Sequence, residues 1–344
     1  MLTTARYDCF TGIDIAAVTL TTSSTTGTTP PSRAVTLTQT PEGYAALIQR
    51  LQATGSAPER TLVVMEATGS YWITLATTLH AAGFAISVIN PAQAHYFAKA
   101  LLKRTKTDAI DAQTLARLAA VLQPEPWTPP PDVYYELQQR LVQRDALIQM
   151  RQQVRNQLHA LIQGPVVVAA VRERMETLIA ALTGQIAAVK AELEPTLAMD
   201  EAWAAAAERL QSIPGIGLVT AGWLLATTLN FSVCASAEEA TAYAGLAPTK
   251  YLSGTSVRGQ ERIGHSGNGR LRTALYMATL RAAQSNPAIK TFYDRLVAAG
   301  KLKKVARCAA ARKLLHQAFA VVTKERMFDP DYHHHQTPRL NIAA

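Results

Sequence analysis

Two stretches that read as β-strand each carry a carboxylate. Asp14 lies within Phe10-Thr11-Gly12-Ile13-Asp14-Ile15-Ala16, and Glu66 closes Leu62-Val63-Val64-Met65-Glu66. A carboxylate in an apolar strand is costly unless something cationic compensates it. The chain must therefore fold so that both strands deliver their acids to a cationic site. In a strand, Asp14 faces one side while Ile13 and Ile15 face the other. Glu66 stands at the C-terminal end of its strand, where α/β sheets carry their sites. Asp108 and Asp111 lie three apart in KTDAIDA, on one helix face, where they repel each other unless a cation stands between them. Oxygen-rich sets of this kind suit magnesium or manganese. Two such ions cut phosphodiesters by stabilising both the attacking and the leaving oxygen.

The pattern around these residues is α/β at the N-terminus and helical beyond it. Residues 7–22 and 32–38 read as strands, separated by a Ser/Thr/Gly/Pro segment. A helix at about 42–54, a strand at 61–66, a helix at about 70–83 and a strand at 85–89 follow. A helix at about 107–122 ends in the Pro-rich run 124–131, which predicts a domain boundary. From 132 to 210 strand signals vanish. Two long helical patterns flank Gly164-Pro165, and they predict an antiparallel hairpin or coiled-coil arm. Further helices are expected at about 218–229, 236–244, 268–285, 287–299 and 303–323. The expected domains are 1–128, an arm at 129–205, a mainly helical domain at 206–328, and a polar tail at 329–344. His333, His334 and His335 in that tail do not read as a metal site, because adjacent residues rarely converge on one ion.

Charge distribution points to a polyanionic partner. The net charge is +9, and Gly245 to Met327 holds sixteen Lys and Arg against three acidic residues. Met1 to Trp127 holds nine against eight, so the surplus belongs to the C-terminal part, as on a surface that neutralises phosphates. With 48% hydrophobic and 17% charged residues, the composition fits a folded domain rather than a disordered chain. No apolar run reaches the roughly 20 residues of a membrane span, and the N-terminus does not resemble a signal peptide. Cys9, Cys234 and Cys308 are scattered, which excludes a CxxC zinc site and fits reduced thiols in the cytoplasm. Such a protein would associate with the nucleoid when active.

Several loops carry candidate contacts. Pro214-Gly215-Ile216-Gly217 before a helix has the form of a helix-hairpin-helix loop. There Gly215 and Gly217 would let backbone approach phosphate at a helix N-terminus. Lys103, Arg104 and Lys106 precede the Asp108/Asp111 pair and would suit DNA phosphates passing the metals. In the basic segment Lys250-Tyr251-Leu252-Ser253-Gly254-Thr255-Ser256-Val257-Arg258, a hydroxyl needs a base, a metal or a cationic environment to become a nucleophile. Ser253, Ser256 and Ser266 are open as candidates on composition alone. Lys250, Arg258, Arg270 and Arg272 are further candidate nucleic-acid contacts.

Taken together, GIDIA at Asp14, EATGSYW at Glu66, SVINPAQA at 87–94, KTDAIDA, SIPGIG, AGLAPTKYLSG, GNGRLR and the basic helix around Lys313 resemble the insertion-sequence-110 family. These are DEDD transposases described as bridge-RNA-guided recombinases. The likeness runs from Gly12 to about Phe328. It implies a RuvC-like N-terminal domain of RNase H fold, with magnesium held by Asp14, Glu66, Asp108 and Asp111. It places the nucleophile on Ser253 in the Leu-Ser-Gly match, in a C-terminal transposase domain. It also implies donor and target double-stranded DNA, a structured non-coding guide RNA, and a tetramer with sites shared between subunits. Two other readings stand beside it. One is a RuvC-like endonuclease or junction resolvase in which water attacks. The other is a non-catalytic DNA-binding protein, which the acidic tetrad disfavours.

Overall fold

The computed structural model describes residues 6–102, 105, 107–248, 252–253, 257–258, 263–264 and 266–332, with backbone alone at 252–253 and 257–258. The chain divides into two compact units at Pro129/Pro130.

The first unit is built on five strands: β1 (Cys9–Ile15), β2 (Thr19–Thr25), β3 (Val35–Thr38), β4 (Thr61–Glu66) and β5 (Ala85–Ile89). They lie in the order β3-β2-β1-β4-β5. β1, β2 and β3 pair antiparallel, whereas β1, β4 and β5 run parallel. Helices α1 (Pro41–Gln52), α2 (Trp72–Ala81), α3 (Pro91–Ala100) and α4 (Asp108–Leu122) complete the unit. Strand alternation sends Ile13, Val63, Met65 and Ile86 to one face, where Leu47 and Leu51 of α1 and Leu75 and Leu79 of α2 cover them. Phe10, Leu62 and Val64 point to the other face and pack with Leu115, Leu118 and Ala119 of α4.

Two features depart from the sequence reading. The 7–22 run is a hairpin broken at residues 16–18, and β2 continues into the Ser/Thr segment as far as Thr25. Cross-strand hydroxyl pairs make that polar strand viable: Thr11 Oγ1 with Ser24 Oγ at 2.9 Å, and Thr21 Oγ1 with Thr36 Oγ1 at 3.0 Å. Helix α3 was not anticipated. It buries none of its residues and so gives no apolar rhythm to read. Its signal was local: Asn90 caps it by accepting from the Ala92 amide at 2.9 Å, and Pro91 occupies the first turn.

The second unit opens with α5 (Asp132–Ile162) and α6 (Ala169–Leu197). Arg140 Nε donates to Glu192 Oε2 at 3.0 Å, and further out Arg151 Nη1 donates to Thr183 Oγ1 at 3.4 Å. Pairs that approach each other along the chain make the two helices an antiparallel hairpin. Its base is buried through Val133, Leu137, Leu141, Leu193 and Leu197, with Ile186 and Val189 of α6 buried next along the hairpin. That base shares one core with α7 (Glu201–Gln211), α8 (Leu218–Thr228), α9 (Ala237–Tyr243), α10 (Gly269–Ser285), α11 (Pro287–Ala298) and α12 (Lys303–Thr323). The short strands β6 (Leu252–Ser253) and β7 (Val257–Arg258) pair antiparallel between α9 and α10.

Candidate functional site

Adjacent parallel strands deliver the first two acids side by side. Ile13 of β1 is the register partner of Met65 of β4, so Asp14 and Glu66 follow at the same level. By alternation both belong to the face that α4 covers. The helix comes unusually close there because Gly12 has no side chain. A Cβ on Gly12 would stand 2.2 Å from both the Ala112 carbonyl oxygen and the Ala116 amide. Near the start of β1, Phe10 and Ala120 both border Gly27, so α4 runs opposite to β1. Going from Gly12 to Asp14 advances about 6.7 Å along the strand. One turn back from Ala112 advances about 5.4 Å along the helix. The first turn of α4, with Asp108 and Asp111, is thus brought to the end of the sheet that carries Asp14 and Glu66.

Local chemistry favours acids at that helix start. Thr107 caps α4, its Oγ1 accepting from the Ile110 amide at 3.3 Å. Carboxylates in a first turn also meet the positive end of the helix dipole. Thr68 Oγ1 donates to Glu66 Oε1 at 2.7 Å, which holds one oxygen of that carboxylate. Asp14, Glu66 and Asp111 are half-buried and Asp108 is exposed. The donors are all carboxylate oxygens, the chemistry that magnesium or manganese takes. Among the described residues no three His, Cys, Asp or Glu side chains stand close enough to share an ion. The fold thus brings the four backbones to one end of the sheet.

The serine segment lies in the other unit. Ser253 of β6 pairs with Val257 of β7, and Leu252 pairs with Arg258. The ends of this segment are fastened together. Arg272 Nη1 donates to the carbonyls of Gly245 at 3.3 Å and Ser266 at 3.1 Å, and the Asn268 amide donates to the Tyr243 carbonyl at 2.7 Å. Gly245 and Gly267 have φ of +67° and +87°. A Cβ on Gly245 would lie 2.3 Å from the Ser266 carbonyl oxygen, and one on Gly267 would lie 2.5 Å from the Gly245 nitrogen. Neither position tolerates a side chain. Arg272, expected to contact nucleic acid, is engaged in this closure. Sequence reasoning did not find the clamp, and its only trace was the pair of glycines flanking the basic segment.

The remaining expected contacts are distributed as follows. Gly215 has φ of +105°, and a Cβ there would meet Ala282 of α10 at 2.5 Å. Its close approach is therefore to a neighbouring helix. Gly217 is the N-cap of α8 and faces open space. Arg270 lies over Trp223, 5.3 Å from the ring centroid. Lys103, Arg104, Lys106, Lys250 and Ser256 lie outside the described residues, as do the side chains of Ser253 and Arg258.

A family model of DEDD transposases of the IS110 type, described as "Transposase", matches residues 11–165. A second, described as "Transposase IS116/IS110/IS902 family", matches residues 207–294. The pilin gene-inverting proteins of Moraxella lacunata and Moraxella bovis are each 33% identical to the chain over 299 residues, which is 87% of this chain and 91% of theirs. The chain belongs to the IS110 family of transposases. The transposase for insertion sequence element IS1328 of Yersinia enterocolitica is 28% identical over 82% of this chain and 89% of its own. In this IS110-family transposase the first matched segment takes in the sheet, α4 and α5, and the second runs from the last part of α7 through most of α11. The acidic set and the clamped serine segment fall one in each. Among the described residues, no helix is long and apolar enough to cross a membrane.

Proposed function

We propose that this transposase cuts and rejoins donor and target DNA through a serine–DNA intermediate, with Asp14, Glu66, Asp108 and Asp111 holding magnesium. The observation that carries the reading is the placement of Asp14 and Glu66 at the ends of adjacent parallel strands, beneath a helix whose first turn bears Asp108 and Asp111. The same placement supports a RuvC-like, RNase H-type N-terminal domain. A bound ion would polarise the scissile phosphate and stabilise charge on the oxygens of the displacement. Ser253 Oγ would attack phosphorus, forming an O–P bond as the phosphodiester P–O bond breaks. The hydroxyl proton passes to a base, and the departing oxygen takes a proton to become a free 3′-hydroxyl. That hydroxyl, or its counterpart on a second strand, reverses the reaction and seals DNA without water or a nucleotide.

Recombination is preferred over hydrolysis because two relatives are named for inverting a gene, and an inversion requires ends to be rejoined. The guide RNA follows from the family resemblance, and the basic surplus of the C-terminal part supports a backbone-reading surface. Val166 at the hairpin tip is 77% exposed, with Ile162 and Val168 exposed beside it. That apolar tip supports an arm-mediated tetramer.

Magnesium binding is tested by thermal unfolding as well as by cleavage. Titrating magnesium should raise the Tm of the parent protein, because a ligand of the native state stabilises it by mass action. Asp14→Asn and Glu66→Gln should fold, lose that shift, and fail to cleave DNA. A parent protein that cleaves with no metal requirement would overturn the metal assignment.

A further inference from the structure

The second unit contains a large cleft, about 1370 Å³, walled by α5, α8 and α10. It exceeds the roughly 300–1,000 Å³ of small-molecule pockets, so it has room for a segment of polymer. Its charge is cationic: Arg144, Arg270 and Arg281 line it against one acid, Asp145. The three arginines come from two of the walls, Arg144 on α5 and the other two on α10.

Two of these cations are poised, one for a planar partner and one for an anion. Arg270 lies over the buried ring of Trp223. Arg270 also lines the cleft, where a guanidinium plane is a stacking surface for a base. Arg144 is four-fifths buried, its Nη1 standing 3.7 Å from Asp145 Oδ1. Its buried Nε has no hydrogen-bond partner among the described residues. A buried donor without an acceptor is costly, and a phosphate oxygen would satisfy it in the charge-assisted way that suits arginine. Tyr134 and Tyr243 add two more aromatic faces to the lining. Burial holds the Asp145 carboxyl above its usual range despite the nearby Arg144 and Arg270, so the one acid in the cleft is itself disfavoured as an anion.

We infer that this cleft binds a single-stranded stretch of nucleic acid, with a base stacked on the Arg270–Trp223 platform and phosphates on Arg144 and Arg281. Duplex DNA presents its bases stacked and its phosphates outside, whereas aromatic faces interleaved with arginines match an unpaired strand. The inference rests on the reading of the chain as a nucleic-acid enzyme. It adds a site for unpaired nucleotides beside the base of the serine segment, whose Tyr243 and Asn268 line the cleft, and the unpaired strand is DNA displaced during exchange or RNA.

The test uses full-length protein and ten-nucleotide oligo-dT and oligo-U probes, read by fluorescence anisotropy over a salt series. Arg144→Gln, Arg270→Leu and Arg281→Ala are compared with the parent, and Arg270→Lys keeps the charge but removes the plane. Loss of a stacked base or a phosphate contact should weaken binding about tenfold per site. Loss of Arg144 or Arg281 should also flatten the salt dependence by roughly 0.7 per contact. Arg270→Lys should lose affinity while keeping the salt slope. Photocrosslinking with 4-thiothymidine or 4-thiouridine probes should map to Tyr134 or Tyr243, and the probe with the higher yield identifies DNA or RNA. Folded variants that bind both probes as the parent does, or crosslinks confined to other helices, would overturn the cleft. DNA cleavage by the parent is measured in the same preparation. Cleavage with unaltered variant binding removes this inference alone, whereas altered variant binding without cleavage removes the transposase chemistry alone.

Discussion

Gly12 of β1 lies so close to Ala112 of α4 that a single added methyl group would stand 2.2 Å from the Ala112 carbonyl oxygen. This approach sets the depth at which α4 crosses the sheet, and with it the reach of Asp108 and Asp111 toward Asp14 and Glu66. Gly12→Ala should therefore push the helix outward. Overpacking of this kind costs about 1–3 kcal/mol. The variant should unfold at lower temperature and lose DNA cleavage more completely than the stability loss explains. Calorimetry beside a cleavage assay at a temperature where the variant is folded checks this, and full activity in that variant would break the link between α4 depth and the site.

Arg272 closes the base of the serine segment by bonding the carbonyls of Gly245 and Ser266. Arg272→Ala removes this donor from the partly buried Gly245 carbonyl, at about 1–3 kcal/mol, and leaves the exposed Ser266 carbonyl to water. Limited proteolysis should then cut between residues 246 and 266 faster than in the parent, with less covalent DNA adduct formed. Arg272→Lys offers one point charge in place of a fork and should recover only part of both.

Asp145 gives a pH signature. Burial raises its folded-state pKa above the unfolded value. Its neutral form is thus favoured by folding, and the associated stability is present below the unfolded pKa and lost as pH rises through the folded one. At pH 7 the ionised group is a burden, and Asp145→Asn should raise the Tm there with a gain that shrinks toward pH 4. The same change removes the only acid among the described residues that line the cleft and should tighten oligonucleotide binding. A Tm difference that grows on acidification would contradict the burial argument.

The exposed apolar hairpin tip predicts an assembly contact. Val166→Asp changes a residue that is 77% exposed, so monomer stability should stay within about 0.5 kcal/mol. Light scattering should register a smaller particle than the parent under the same conditions. An unchanged mass would remove the tip from the assembly.

Much of this was legible in the chain because periodicity and burial coincide where cores are built. The apolar runs at β4 and β5 form strands where expected, and α8 to α12 begin within a residue or so of their expected starts. What escaped was structure held by other means. β2 is a polar strand stabilised by hydroxyl pairs to its neighbours, and α3 is a helix with no buried residue. Asp14 and Glu66 were visible as anomalies in apolar strands, and Asp108 and Asp111 as a like-charge pair on one helix face. That the backbones of both pairs reach one end of the sheet depended on Gly12, whose role emerges only when β1 and α4 are in contact. The Arg272 clamp spans 27 residues of chain, and the Arg270–Trp223 pair spans 47. Contacts that distant have no local rhythm for a sequence to display.

The most direct measurement is to trap the reaction on a suicide DNA substrate and map the linked peptide by mass spectrometry. The account predicts DNA joined to Ser253 by a phosphoester, in a magnesium-dependent reaction, with no adduct from Ser253→Ala and undiminished adduct from Ser256→Ala and Ser266→Ala. Attachment at another residue, or cleavage that releases both ends with no protein attached, would contradict it.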